Sequence, residues 1–244
     1  MTDLGGRVAL VTGAGQRVGR VIALALGARG MHVVVHHHGS AEGAERTAQM
    51  IATEGGTASV AQADLTVPAE AERLIDDVLA HHGELHTLVN SAAIMLRTPI
   101  GEVSLADWDE MFALNVRAPF FLAQRAAPAL RAAGGTIVNI ADLAAFETWP
   151  AYVPHGTTKA AVVQMTRGLA RALAPEVRVN AVAPGAVLLP ESWTDEDAER
   201  LRVTTPLRRL GSPEDVAQAV LYLVDAQYVT GEVIRVDGGR HIRT

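Results

Sequence analysis

Cysteine is absent from the 244-residue chain, which excludes disulfides, thiolate nucleophiles and Cys-based zinc sites together. A basic stripe is also missing. Charged residues make up 20% of the chain, both signs are interspersed and the formal net charge is -6, so nucleic acid and anionic lipid lack the electrostatic footprint they need. No uninterrupted apolar run is long enough to span a bilayer, and Met1 to Gly6 leads almost directly into an apolar strand without a charged leader and cleavage site. The expectation is a cytoplasmic protein that binds neither membrane nor nucleic acid.

Apolar residues account for 49% of the chain, with 22 glycines and 11 prolines spread along it, so the core should be well filled. Length alone does not demand a split, since α/β units often reach this size as one body. Short apolar runs at Arg7 to Thr12, Met31 to Val35, Thr57 to Ala63, Thr87 to Asn90, Thr136 to Ile140, Arg178 to Val182 and Glu232 to Val236 read as strands. Helix-like stretches separate them. Near-continuous apolar strands imply a parallel sheet covered on both faces. We therefore expect a single doubly wound α/β Rossmann-type domain over residues 1–244 with strand order 3-2-1-4-5-6-7. A kink or break is expected around Pro119 and Pro128 in the helical stretch Leu105 to Arg131. Ala186 to Thr205 reads as a long irregular insertion beyond a strand's carboxyl end, where a lid over a site belongs.

The first strand runs into Thr12-Gly13-Ala14-Gly15-Gln16-Arg17-Val18-Gly19 and then a helix. That context marks a dinucleotide turn: glycines let the backbone approach the pyrophosphate, and the helix N-terminus offers free N–H groups and positive dipole. An NAD site usually has an acid about 20 residues downstream to bond the ribose hydroxyl. Here the second strand ends His36-His37-His38-Gly39-Ser40, and Glu42 is the first acid after it. Arg17, His36, His37, His38 and Ser40 are instead candidate donors for a 2'-phosphate, which favours NADP(H). A metal on the three histidines is disfavoured because consecutive strand residues face opposite ways.

These motifs resemble the short-chain dehydrogenase/reductase family along essentially the whole chain. Thr12, Gly13 and Gly19 match its glycine turn, with Arg17 in place of the middle glycine, a variant similar to the pteridine reductase subgroup. The resemblance also implies cofactor roles for Gln16, Val18, Asp64, Leu65, Asn90, Ser91, Ala92, Pro184, Gly185 and Val187, and it extends to Val236-Asp237-Gly238-Gly239. In this family a Tyr-x3-Lys pair carries the proton chemistry, assisted by a Ser thirteen residues before the Tyr. Lys159 is in frame, but His155 stands at the Tyr position and Asp142 at the Ser position. Asp142 again resembles pteridine reductases. By analogy Lys159 bonds the nicotinamide ribose and Asn115 joins a water-linked proton relay to it.

Imidazole has a reference pKa of about 6.5, which a neighbouring carboxylate raises and an ammonium lowers. Hence our expectation is that Asp142 orients and charges His155, which protonates the acceptor as hydride arrives from NADPH. Tyr152, one turn upstream, is expected to point into the same cleft and pack against substrate, with substitute acid as its outside alternative. Trp149, Trp193, Leu188 and Leu189 are candidates for the substrate side. The helix Thr157 to Ala174, small or apolar on most faces, points to a homo-oligomer, as in the family's tetramers.

The leading function is an NADPH-dependent reductase of a small carbonyl or pterin-like compound. The alternatives are an NADP(H)-binding protein that has lost its proton donor, and a lyase or epimerase using the cofactor only structurally. Titration should show NADPH binding more tightly than NADH. Arg17→Ala should weaken NADPH by roughly 1.5–3 kcal/mol if Arg17 makes a charge-assisted bond, with NADH less affected. An equal loss for both would place Arg17 on the pyrophosphate instead.

Overall fold

The computed structural model describes residues 3–189 and 194–242. Seven parallel strands form one sheet in the order β3-β2-β1-β4-β5-β6-β7, as expected. They are β1 Val8–Val11, β2 His32–His37, β3 Thr57–Gln62, β4 Thr87–Asn90, β5 Thr136–Ile140, β6 Arg178–Pro184 and β7 Val233–Val236. Period-2 alternation along the central strands divides their apolar side chains between two cores. Leu10, Leu88, Ile137 and Val179 face one core, with Leu74 and Ile75 of α3 (Pro68–His82), Leu122 and Leu130 of α5 (Ala118–Ala133) and Leu173 of α6 (Val153–Leu173). Val11, Val89, Val138 and Val182 face the other, with Ile22 and Leu26 of α1 (Arg17–Ala28), Ile51 of α2 (Ala41–Thr53) and Val220 and Leu223 of the C-terminal helix (Pro213–Asp225). All strands point one way, so their carboxyl ends and following loops share a single edge. There the candidate residues collect.

Two sequence expectations change. The helical stretch does not break at its prolines: α4 (Leu105–Phe112) widens into a π turn over Ala113–Arg117 before α5 begins. Pro119 sits in the first turn of α5 and Pro128 inside that helix. Pro119 has no N–H, so the α-helical bond that would run back to the Asn115 carbonyl cannot form. The disturbance therefore appears one turn upstream of the proline, on the residues that include Asn115. Second, the segment expected to be irregular contains α7 (Asp195–Thr204). Its start is a capping box: the Thr194 hydroxyl accepts from the Asp197 N–H at 3.2 Å, and the Asp197 carboxylate accepts from the Thr194 N–H at 3.1 Å. The remaining α8 is the Pro213–Asp225 helix already described.

His36 shows how the fold uses a residue that the sequence offered as a cation. The ring is buried at 2% exposure; its Nδ1 accepts from the Gly13 N–H at 3.1 Å, and its Nε2–H donates to the Ala63 carbonyl at 3.1 Å. Burial, the largest cause, lowers its pKa to about 4. The neutral ring thus braces the glycine turn and brings no positive charge to a phosphate. A lowered folded-state pKa gives stability that is present above the unfolded value and lost as pH falls towards the folded one. His36 should therefore contribute up to about 3 kcal/mol near neutrality that fades between about pH 6.5 and 4. His32, His82 and His86, also lowered chiefly by burial, add in the same direction. Denaturant midpoints at about pH 7 and about pH 5 should show a marked acid loss for the native protein and a smaller one for His36→Asn, whose amide oxygen can replace Nδ1. Equal acid losses would show that His36 is not the titrating brace.

Candidate active site

A cleft of about 1220 Å³ opens along the carboxyl edge of the sheet. At one end lies the glycine turn. The Thr12 hydroxyl accepts from the Ser91 and Ala92 N–H groups at 3.0 Å each, tying the end of β1 to the loop after β4. Gly13 has φ +66, and a Cβ there would lie 2.9 Å from the Ala92 Cα; a Cβ on Gly19 would run into the Gly13 carbonyl. Only glycines permit this closeness. The Gln16 side chain makes no cap bond to α1, and Gln16, Arg17, Val18 and Gly19 all line the cleft. An uncapped helix start facing an open cleft fits the pyrophosphate of a dinucleotide. Arg17 occupies a left-handed conformation, φ +53, which costs a non-glycine residue roughly 1–2 kcal/mol. The middle glycine of the motif would adopt it without that cost.

The three histidines at the end of β2 diverge. His36 braces Gly13, His37 is buried with Nδ1 at 3.2 Å from the His38 carbonyl, and His38 lies exposed with its Nδ1 3.8 Å from Asp64 Oδ1. Asp64 is held by Thr66, whose hydroxyl and N–H donate to it at 2.7 and 2.9 Å and keep its carboxyl below the usual range. His38, Asp64 and Leu65 line the cleft, as do Ser91, Ala92, Pro184, Gly185 and Val187; His37, Ser40 and Asn90 do not. Asn90 donates instead to Asn139 Oδ1 at 2.8 Å within the core.

His155, Lys159 and Asp142 meet at the middle of the cleft. His155 and Lys159 lie four residues apart on α6, hence on one helix face. The Lys159 ammonium donates to the Ile140 carbonyl at 2.9 Å, and burial lowers its pKa to about 8 against the opposing pull of Asp142. Asp142 follows β5 and caps a short helical turn, its Oδ1 accepting from the Ala144 N–H at 2.7 Å. Its Oδ2 lies 3.8 Å from His155 Nε2, too far for a hydrogen bond. So Asp142 does not orient the imidazole, contrary to the sequence expectation. The Ile94 carbonyl does: it accepts from His155 Nδ1 at 3.3 Å. A carbonyl only accepts, so Nδ1 carries hydrogen and Nε2 is the ring atom left free of that bond. It has no hydrogen-bond partner among the described residues.

Asn115 stands behind this arrangement rather than in the cleft. Its Oδ1 accepts from the Ile94 N–H at 2.9 Å, and its Nδ2 donates to the Ile94 carbonyl at 2.9 Å and to Thr158 Oγ1 at 3.1 Å. Thr158 in turn donates to the His155 carbonyl at 2.7 Å. The sequence reading passed over both partners. Thr158 was detectable, three residues after His155 and thus on its face; Ile94 acts through its backbone and leaves no side-chain signal. Tyr152 and Trp149 stack edge to face, centroids 6.2 Å apart, and neither lines the cleft. Trp149 donates to Glu147, which also pairs with Arg240. Leu188 lines the cleft, Leu189 does not, and Trp193 lies outside the described residues.

With this geometry in hand, comparison with known proteins is informative. Residues 13–241 match the family model described as Enoyl-(Acyl carrier protein) reductase. A ketoacyl reductase assigned to the granaticin polyketide synthase of Streptomyces violaceoruber is 40% identical over 245 residues, covering 96% of each chain. The chain belongs to the short-chain dehydrogenase/reductase family. Among its relatives in that family, the versicolorin reductase of Emericella nidulans is 35% identical, covering 97% of this chain and 96% of that one. The solved structure of landomycin C-6 ketoreductase LanV with bound NADP and rabelomycin superposes with a TM-score of 0.89 at 32% identity, over 99% of this chain and 98% of that one.

Replacing Asn115 by Leu leaves the Ile94 N–H without its side-chain partner and the Ile94 carbonyl with His155 Nδ1 alone. The cost should be about 1–3 kcal/mol per unpaired group to the extent that each is buried, read as a lower denaturant midpoint. A variant as stable as the native protein would mean that water or backbone takes over both bonds.

Proposed function

We propose that the protein is an NADPH-dependent reductase of a carbonyl substrate in which His155 replaces the family's tyrosine as proton donor. One observation carries this reading: His155, a cleft-lining residue beside Lys159 and Asp142, leaves its buried Nε2 without a hydrogen-bond partner among the described residues, 3.8 Å from the Asp142 carboxylate. A lost tyrosine filled by a packing histidine would have no reason to leave that atom unsatisfied. The ketoreductase relatives support a ketone acceptor, and the NADP-bound neighbour supports the cofactor class. The absence of an acid at the end of β2, with Arg17 and His38 at the cleft, supports NADP(H) over NAD(H).

When bound, the dinucleotide supplies the hydride. The chain's residues manage the proton. His155 Nδ1 keeps its hydrogen on the Ile94 carbonyl in either charge state, so the proton that moves is the one on Nε2. The Asp142 carboxylate, 3.8 Å away, interacts favourably with the imidazolium that precedes transfer. Lys159, held on Ile140 at the cleft, would bond the nicotinamide ribose of a bound dinucleotide, as the family resemblance implies. The relay that the resemblance gives to Asn115 would run past a small cavity of about 10 Å³ lined by Asn115, Asn90 and Lys159, close to the least volume that holds one water. A pterin-like acceptor is the second reading, favoured by Asp142 and Arg17 at the positions where pteridine reductases are similar. Closed homo-oligomer formation belongs to the same proposal: Phe120 of α5 is 40% exposed, and the outward residues of α6 include the small Ala160 and Gly168.

NADPH oxidation with a panel of aldehydes, ketones, quinones and dihydropterins tests the reading; tight NADPH binding without any turnover would sink it in favour of a binding protein. His155→Ala should lower turnover by roughly 100-fold to 10,000-fold with little change in NADPH affinity. Tyr152→Phe should be nearly silent, and the reverse pattern would move the donor to Tyr152.

A further inference from the structure

We infer that Asp142 selects substrates carrying a hydrogen-bond donor, an O–H or N–H, beside the reacting carbonyl or imine. The inference rests on the reductase reading and names what that site recognises. Asp142 is fixed from behind: Oδ1 is committed to the Ala144 N–H at 2.7 Å. Oδ2 lines the cleft on a side chain 24% exposed, 3.8 Å from His155 Nε2, and accepts no hydrogen bond among the described residues. The side chain thus presents one acceptor atom to whatever lies beside Nε2.

A carboxylate only accepts. Asp142 therefore cannot donate to a substrate carbonyl, as a serine hydroxyl at this position could. A bare ketone placed against Nε2 would set its oxygen, which gains negative charge during reduction, near an anionic oxygen without a shared hydrogen. A substrate with a hydroxyl or ring N–H next to the reacting group reverses this. Its oxygen or nitrogen acceptor faces Nε2, and its donor reaches Oδ2 in a charge-assisted hydrogen bond. The two protein atoms are close enough for substituents on the same or adjoining ring positions. Hydroxyaryl ketones and enolised diketones both present that pair. Plain ketones do not. An internal hydrogen bond between the hydroxyl and the carbonyl is exchanged for a stronger one to the carboxylate.

The test uses three matched aryl ketones with the full chain and NADPH: tetralone, its peri-hydroxy derivative and the peri-methoxy ether. The native protein should favour the hydroxy compound over both others by about 10-fold to 100-fold in kcat/KM. Asp142→Ser should collapse that ratio whatever happens to the absolute rates, because serine can donate to a bare carbonyl. Calorimetric binding of the hydroxy and methoxy ketones with NADP+ present is the second measurement, independent of turnover. A binding preference for the hydroxy compound without turnover of anything would overturn the reductase reading and leave the role of Asp142 standing. Turnover with equal kcat/KM for the hydroxy and methoxy ketones, or equal binding of the two, would overturn the role of Asp142 itself.

Discussion

The reciprocal hydrogen bonds between the Asn115 amide and the Ile94 peptide join three parts of the molecule that carry the site. Asn115 belongs to the π turn between α4 and α5, Ile94 to the loop after β4, and the third bond of the amide reaches Thr158 on α6. The Ile94 carbonyl then receives the His155 ring, and Thr158 holds the His155 backbone. One amide thus supports the carbonyl that holds one imidazole nitrogen and leaves the other without a partner among the described residues. A buried network of this kind specifies a single geometry because every alternative leaves an unpaired polar group.

The origin of that amide's position is local. Pro119 cannot return an N–H to the Asn115 carbonyl, and the chain widens into a π turn on the residues just before it. A regular helix across this region would place residue 115 on a different heading relative to the loop after β4. The same logic of a backbone group held by a side chain recurs at the cofactor end. There the neutral His36 ring braces the Gly13 N–H, and the Thr12 hydroxyl gathers two more N–H groups. Both ends of the cleft are shaped by buried polar side chains gripping loop backbone, while the parallel sheet supplies the rigid edge from which those loops leave.

Two charged groups at the centre are set by this scaffold rather than by each other. Lys159 is buried on the Ile140 carbonyl, and Asp142 is pinned by the turn it caps, so the gap to His155 is one of placement and not of pairing. Among the described residues, the second carboxylate oxygen of Asp142 accepts no hydrogen bond. An aspartate at this position thus differs in kind from a serine, which would bring a donor to the same place.

Strand order, the two-sided core, the glycine turn and the gathering of His155, Lys159 and Asp142 were all legible in the sequence. Period-2 and period-3.6 patterns, and a four-residue spacing on one helix, translate directly into faces. The capping box at Thr194 was equally visible, and the reading missed it. The amino-acid types also determined that His155 and Asp142 depart from the family's pattern. Tertiary structure alone decided what those residues touch. It made His36 a buried neutral brace instead of a cation, because ring burial outweighs the tendency to protonate. It gave the orientation of His155 to a backbone carbonyl and the support of that carbonyl to Asn115. It turned Tyr152 onto Trp149 and away from the cleft. Backbone groups carry no residue-specific signal, and the burial of a polar side chain depends on packing partners far away in the chain, so neither could be read before the fold was in view.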